Sequence, residues 1–366
     1  MQAAPPPPLV DRPPPPPPSI PHASSTIPWS AHEIEIAPPP SYWAFNPSVI
    51  RTPDGRWLCA VRCANYHLDA DAGGKATVPV AGPVSPSGEP LAPVPLGRVM
   101  PKTVYNRSFM VTLDPRSLRA IADVEMHELD GLPRVPVIIR GYDDVRLTWT
   151  AQDGLTAIAN VAHFRTEQWR EMCALKLDER YQIVDATPLR GSWSDNHQKN
   201  WTPFVGTSQL RMLFSVERGG IHTRTGQILK PRPRHVTEVD PTIGTHPSIY
   251  AGAEKITLRG GTQLIRIAPH PNGRWLALAH GVSEAVGGIW YWHVWYSIDD
   301  DGQLLSRSDP MKLSDGRIEF AAGLALDPDT GRLVVSYGVG DDHCMLGVTK
   351  LEAVMKILKP VKGRRP

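Results

Sequence analysis

The 366-residue chain has little of several features that define common protein classes. Its four cysteines, Cys59, Cys63, Cys173 and Cys344, match no zinc or redox spacing, so reduced and buried thiols are expected. No apolar run approaches the roughly 20 residues needed to cross a bilayer, and the first residues lack the continuous apolar stretch of a secretion signal. We therefore expect a cytoplasmic protein without a membrane span.

A surplus of charge of either sign is also missing. Lysine and arginine total 39 and aspartate and glutamate total 37, which leaves a net charge of +2. This balance argues against nucleic-acid or membrane-surface binding through bulk electrostatics, so any basic site must be local. Wholesale disorder is excluded as well, because 41% of the residues are hydrophobic, enough to bury one large core or two smaller ones. No metal or organic cofactor is predicted.

Proline, in contrast, is abundant, with 39 residues and uninterrupted runs at 5–8 and 13–18. Such runs lack amide donors and hold the backbone near polyproline II, so they cannot join a sheet or a helix interior. The sequence predicts a flexible, disordered arm over residues 1–28 and one domain over residues 29–366. The arm is expected to be a passive spacer, and docking to an SH3-like partner is the alternative.

After residue 34 the chain consists of short apolar segments separated by turn signals, and few of them have helical spacing. A glycine-containing turn followed by a strand recurs at 53–57, 271–275 and 328–333. This repetition predicts an all-β protein, with a β-propeller as the first choice and a pair of β-sandwiches as the second. Residues 350–359 have the apolar spacing of one short C-terminal helix.

Residues 141–147 form the first of four segments that could carry chemistry. Asp143 and Asp144 are followed there by Arg146, and a fixed cation beside a carboxylate can hold it ionised or orient it. Because side chains alternate along a strand, only one of the two aspartates is expected to face a given cleft, with Arg146 on the face of Asp144. An ordinary turn with a surface ion pair is the alternative.

The other three segments follow later in the chain. Lys199 and Asn200 lie among amides and aromatics, where a cation can hold an anion or a sugar hydroxyl. His280 ends an apolar strand beside a glycine, so it can approach a ligand closely. Asp341 emerges from a glycine-rich turn and could bind sugar hydroxyls. A solvated loop lysine, a core histidine and a plain hairpin turn are the respective alternatives.

In this order the segments resemble those of glycoside hydrolase family 130, whose members are five-bladed β-propeller enzymes acting on mannosides. The matching residues are Phe45-Asn46-Pro47-Ser48, Gly141-Tyr142-Asp143-Asp144-Val145-Arg146, Lys199-Asn200-Trp201-Thr202-Pro203, His280-Gly281-Val282 and Tyr337-Gly338-Val339-Gly340-Asp341. The resemblance spans residues 45 to about 350. It implies five blades and an inverting phosphorylase acting on β-mannosides, with inorganic phosphate or a sugar phosphate as substrate.

The resemblance also implies roles for single residues. An inverting phosphorylase needs one proton donor, because phosphate is itself the nucleophile. The general acid falls on Asp144, and the phosphate-binding groups fall on Lys199 and His280, with Arg165 as the candidate for a further arginine. The expected substrate-binding residues are Asn46, Arg62, Asn65, Asp143, Arg146, Asn200, Glu319, Tyr337 and Asp341.

Departures from the family pattern leave the reaction open. The acidic pair is Asp-Asp instead of Glu-Asp, valine replaces the proline before Arg146, and Glu319 adds a carboxylate that the phosphorylases lack. A carboxylate facing the pocket would repel phosphate and favour a glycosyltransferase with a sugar-phosphate or nucleotide-sugar donor, or a hydrolase. A non-catalytic carbohydrate-binding propeller is the third hypothesis. The sequence makes no prediction of oligomeric state.

Overall fold

The computed structural model describes residues 20–69, 75–77, 104–127, 139–161, 171–189, 200–213, 221–223, 228–229, 258–270, 273–285, 288–316 and 318–361. Within these ranges the chain is almost entirely β-structure, as the sequence predicted. The strands are β1 (Ser30–Glu33), β2 (Trp43–Arg51), β3 (Trp57–Ala64), β4 (His67–Asp69), β5 (Lys75–Thr77), β6 (Val104–Leu113), β7 (Ala120–Met126), β8 (Ile139–Arg140), β9 (Asp143–Thr150), β10 (Gly154–Val161), β11 (Glu171–Leu177), β12 (Ile183–Pro188), β13 (Thr202–Pro203), β14 (Arg211–Leu213), β15 (Ile221–Thr223), β16 (Ile228–Leu229), β17 (Arg259–Gly260), β18 (Ile265–His270), β19 (Gly273–Ala285), β20 (Gly288–Ile298), β21 (Leu304–Arg307), β22 (Glu319–Asp327), β23 (Arg332–Val339), β24 (His343–Lys350) and β25 (Lys359–Pro360).

These strands form five sheets of four or more strands in a propeller-like arrangement. The strand orders are β2-β3-β6-β7 with β8 on β6, β9-β10-β11-β12, β13-β14-β15-β16, β17-β19-β20-β21-β25 with β18 on β19, and β22-β23-β24-β1. A separate ribbon joins β4 to β5. Neighbouring strands are antiparallel except for the β6–β8 pair. The second and third sheets are built from consecutive strands. The first omits the β4–β5 ribbon, the fourth takes its outer strand β25 from beyond β24, and the last takes its outer strand β1 from the N-terminal part of the chain.

The first strands of three sheets meet at the centre, where β2, β9 and β22 contact one another. Buried polar side chains link these strands by hydrogen bonds to backbone groups. The hydroxyl of Ser48 accepts a hydrogen bond from the Leu147 amide at 3.0 Å. Gln263 donates to the Val49 carbonyl at 2.5 Å and accepts from the Leu324 amide at 3.1 Å. These bonds satisfy polar groups that the centre of the molecule would otherwise leave buried and unpaired.

Residues 20–28 belong to the folded body, although the sequence placed them in the arm. Ala23 and Ile27 are buried in an apolar cluster with Met311 and Leu313. The backbone of Ala23 donates to the Lys312 carbonyl at 2.7 Å. Residues 1–19 of the predicted arm lie outside the described residues, so the structure gives no test of a spacer or of an SH3-like partner.

One α-helix is present among the described residues, α1 (Leu351–Ile357), where the apolar spacing predicted it. It buries Val354 and Met355 against the last sheet, in the cluster that contains Leu333 and Val335. No helix in the described ranges is long and apolar enough to cross a membrane. The four cysteines are free and buried, which confirms the expected reduced thiols.

Candidate functional site

Arg62, on β3, is the centre of a polar group that gathers several of the predicted residues. Its Nη1 atom lies 2.5 Å from Asp143 Oδ1 and 3.0 Å from Asp144 Oδ1. Asn46, on β2, donates to the same Asp144 oxygen at 2.9 Å. The side chains of Arg62, Asp143 and Asp144 are only 7, 5 and 15% exposed. We define the Arg62 cluster as seven residues: Asn46, Arg62, Tyr66, Asn106, Asp143, Asp144 and Asp341.

Two members of the cluster were missed by sequence reasoning, and both fix the Arg62 guanidinium. Its Nε atom donates to Asn106 Oδ1 at 2.8 Å, and Nη2 donates to the Tyr66 hydroxyl at 3.2 Å. The guanidinium also lies over the Phe45 ring, 4.6 Å from its centroid. Burial alone would lower the pKa of Arg62, but Asp143, Tyr66 and Asp144 raise it above its usual value. Asn106 is separated from Arg62 by the long segment before β6, so no local motif could have indicated it.

Asp143 and Asp144 both reach Arg62, which corrects the expectation that only one could face the cleft. Asp144 has a left-handed backbone, with φ of +50°. The pairing of β9 with β10 shifts register at the same place, between Ile158 and Asn160. An extra residue in one strand breaks the alternation of side chains. Adjacent carboxylates can therefore share one face.

Strained backbone is concentrated at predicted site residues. Among the described residues, seven that are not glycine have positive φ, and four of these are Asn46, Asp144, Asn200 and Asp341, with φ of 49, 50, 62 and 59°. Such conformations cost of order 1–3 kcal/mol and tend to cluster at functional sites. Gly338 allows the Asn46 backbone to approach it closely, because a Cβ atom at Gly338 would lie 2.7 Å from the Asn46 amide nitrogen.

Asp341, beyond β23, completes the Arg62 cluster from the last sheet. Burial raises its pKa to about 7, and the nearby Asp144 and Asp143 act in the same direction. Arg62 and a hydrogen bond with Tyr66 oppose this rise. A carboxyl group with a raised pKa is a common feature of functional sites.

Arg146 and Asn200 form a second group nearer the centre, and His280 adjoins it. Arg146 is fully buried and donates to the Gly261 carbonyl at 2.7 Å and to Asn200 Oδ1 at 3.3 Å. The Phe320 ring lies between Arg146 and His280, at 5.4 Å from the guanidinium and 4.8 Å from the imidazole centroid. Burial lowers the pKa of Arg146. Its contacts link three sheets, so its side chain positions the centre of the site.

Three predicted substrate-binding residues have hydrogen-bond partners outside the Arg62 cluster. Glu319 is fully buried and accepts hydrogen bonds from the amides of Leu313, at 2.9 Å, and Ser314, at 2.7 Å. Tyr337 is also buried and donates to the Leu313 carbonyl at 3.3 Å. Asn65 accepts from the Tyr105 amide at 2.9 Å. These contacts give the three side chains structural partners, and Glu319 is correspondingly removed from the substrate-facing group.

Lys199 and Arg165 lie outside the described residues, so the expected meeting of Asp144, Lys199 and His280 is tested only in part. Asp144 belongs to the Arg62 cluster, whereas His280 is buried beside Phe320 and stacks on Tyr291 at 5.6 Å. No group of three or more histidine, cysteine, aspartate or glutamate side chains in the described part of the chain is placed to hold a metal ion.

Comparison with known proteins gives similarity in fold alone. No protein-family model and no curated protein sequence matches the chain. Among solved structures, the chain is similar to the β-1,2-mannobiose phosphorylase of Listeria innocua, with a TM-score of 0.53, 13% identity, and coverage of 89% of this chain and 98% of that one. A glycosyl hydrolase from Bacteroides ovatus matches with a TM-score of 0.53, 14% identity, and coverage of 88% and 86%. The fold is therefore similar to that of propeller enzymes of the family 130 type.

Proposed function

We propose that this protein is a carbohydrate-active enzyme, an inverting glycoside phosphorylase that transfers a glycosyl group between phosphate and a sugar acceptor, with β-mannosides as substrates. The observation that carries the proposal is the placement of Asp144. Its carboxylate is held by Asn46 and Arg62 on a strained backbone, in a cluster where it is more exposed than Asp143. The fold similarity to a mannobiose phosphorylase supports the same substrate class.

The proposal includes five blades, one for each sheet of four or more strands. The contacts of β2 with β22 and of β2 with β9 support a closed ring, because they join the first sheet to the last and to the second. Parallel bridges from Thr150 to Thr207 and from Phe204 to Leu264 continue from the second sheet to the third and the fourth. In such a ring the starts of the inner strands come together at one end of the axis. Asn46 and Asp144 both lie there.

In the proposed reaction, Asp144 donates a proton to the leaving oxygen, directly or through a sugar hydroxyl, while phosphate attacks the opposite face of the sugar. The Arg62 cluster holds three carboxyl groups, which suit the hydroxyls of a neutral sugar better than an anion. We therefore assign phosphate binding to His280 together with Lys199 and Arg165. No resident cofactor is required for this chemistry.

The test is incubation of the purified protein with mannose 1-phosphate and a panel of sugar acceptors, with released phosphate as the readout. Release that depends on an acceptor supports the phosphorylase. Turnover with a nucleotide sugar alone would replace it with a glycosyltransferase, and acceptor-independent hydrolysis would replace it with a hydrolase. Sugar binding without turnover under all conditions would indicate a carbohydrate-binding propeller and would overturn the proposal.

A further inference from the structure

His280 and His293 lie side by side in the fourth sheet. They are direct cross-strand partners in the pairing of β19 with β20, so their side chains project from the same face of that sheet. Both are buried, and both contact the start of β22 in the last sheet. His280 contacts the ring of Phe320, whereas His293 contacts the backbone of Ala321.

The contact of His293 anchors the backbone beside Phe320. His293 Nε2 accepts a hydrogen bond from the Ala321 amide at 3.1 Å. The backbone of His293 is itself bound to that of Met311 through two hydrogen bonds of 2.8 Å, one in each direction. The residue that follows Phe320 is consequently held to the fourth sheet.

Two aromatic rings contact the imidazole of His280. The Phe320 ring is nearly perpendicular to it, at 79°, with the centroids 4.8 Å apart. The Tyr291 ring is nearly parallel to it, at 17°, with the centroids 5.6 Å apart. Rotation of the imidazole about its Cβ–Cγ bond would disturb both contacts, which aromatic pairs favour. The two rings therefore define the direction in which the nitrogen atoms of the imidazole point.

Phe320 is also held by Arg146, whose guanidinium lies over the ring, 5.4 Å from its centroid. Arg146 donates to neutral oxygens of Gly261, Trp201 and Asn200, at 2.7, 3.4 and 3.3 Å, and forms no ion pair with a carboxylate in the described part of the chain. A fully buried cation with neutral partners gains from the electron-rich face of an aromatic ring. The ring is therefore fixed by more than its contact with the imidazole.

We propose that Phe320 is a positioning residue for phosphate binding: its ring fixes the orientation of the His280 imidazole, so that a ring nitrogen is presented to the bound anion. The inference rests on the proposed function in one respect, because it takes His280 as a phosphate-binding group. The orientation of the imidazole itself can be tested without any ligand.

The first test is a double-mutant cycle on the affinity for inorganic phosphate, measured by calorimetry without a sugar. Phe320→Leu should weaken phosphate binding by about two- to tenfold, the fold-change that corresponds to one aromatic contact. In a His280→Gln background the same substitution should have no further effect, because the ring acts through the imidazole. Equal losses in the two backgrounds, or no loss in either, would overturn the proposal.

Phe109→Leu is the matched control. It makes the same change on β6, where the Arg107 guanidinium lies 5.8 Å from the Phe109 centroid, and it should leave phosphate affinity at the wild-type value. A loss equal to that of Phe320→Leu would overturn the proposal. Thermal unfolding establishes that each variant is folded at the assay temperature. Phe320→Met, whose flexible side chain fills irregular space, replaces Phe320→Leu if that variant is not folded.

The second test uses nuclear magnetic resonance of the ligand-free protein. The imidazole signals of His280 are those absent from His280→Gln, and in wild type they should show a nuclear Overhauser contact with the Tyr291 ring. This contact should weaken in Phe320→Leu and persist in Phe109→Leu. An unchanged contact in Phe320→Leu would overturn the positioning role.

The two tests separate the inference from the proposed function. If wild type does not bind phosphate but the contact of His280 with Tyr291 weakens in Phe320→Leu, the phosphate assignment fails and the positioning of the imidazole stands. If wild type binds phosphate and Phe320→Leu binds it equally well, Phe320 has no positioning role, whereas the proposed function is unaffected.

Discussion

Asp144 accepts hydrogen bonds from Asn46 and Arg62 at the same atom, Oδ1. Asparagine at this position would keep an oxygen for these two donors but could not donate a carboxyl proton. We therefore expect Asp144→Asn to lower kcat by about 10²–10⁴-fold while sugar binding is retained. Steady-state kinetics and calorimetry on the same preparation measure the two effects. Turnover within tenfold of wild type would show that Asp144 is not the general acid.

Arg62 is expected to stabilise the fold as well as the site, because two buried carboxylates depend on it. Arg62→Gln should lower the free energy of unfolding by about 3–5 kcal/mol. Urea unfolding measures this loss. The control is Arg56→Gln, which removes an exposed ion pair with Asp54 and should cost under about 1 kcal/mol.

The sequence indicated Asn46, Arg62, Asp144 and Asp341, because their residue types and order matched a known pattern, and the structure brings them together. The resemblance also gave Asp143, but the alternation of side chains predicted that only one of the two aspartates would face the cleft, whereas both reach Arg62 at the left-handed backbone of Asp144, where the pairing of β9 with β10 shifts register. The alternation rule holds only for a regular strand. A local motif carries no information on such long-range register.

At the level of elements, Glu319 shows how a carboxylate at the start of a strand can serve the fold. It begins β22 and binds the amides of Leu313 and Ser314 and the Ser314 hydroxyl, so it fixes the loop that precedes its own strand. The sequence analysis gave it as a substrate-binding residue and as a carboxylate that the phosphorylases lack. The role of Glu319 depends on the path of residues 311–316, which brings the backbone amides of Leu313 and Ser314 back to the start of β22. No pattern in the sequence encodes that path.

Glu319→Gln should therefore change stability and not catalysis. The amide group of glutamine would oppose donors where the carboxylate now accepts, so the free energy of unfolding should fall by about 1–3 kcal/mol. The kcat of the folded fraction should stay within about twofold of wild type. Asp315→Asn, an exposed change in the same loop, is the control for stability. A large fall in kcat at unchanged stability would return Glu319 to the reacting groups.

At the level of the whole molecule, the N-terminal segment closes the last sheet. β1 pairs with β24, and the segment before it buries Ala23 and Ile27 in the cluster that also holds Met311 and Leu333. The strands and the turns before β3 and β23 could be predicted, because Gly55 and Gly331 mark turns with positive φ. The closure of the last sheet by the N-terminal segment could not be predicted, since the proline runs dominate the composition of the first 28 residues.

Ile27 provides a direct test of this closure. It is 4% exposed, and Ile27→Ala would remove buried methyl groups between the N-terminal segment and the last sheet. The expected loss is about 2–5 kcal/mol in the free energy of unfolding, measured with urea. Ile121→Ala makes the same chemical change on the outer strand β7, where the side chain is 64% exposed, and should cost under about 0.5 kcal/mol. Equal costs would mean that residues 20–28 do not close the sheet in solution, because a segment that is detached in the native state loses nothing when its apolar side chain is shortened.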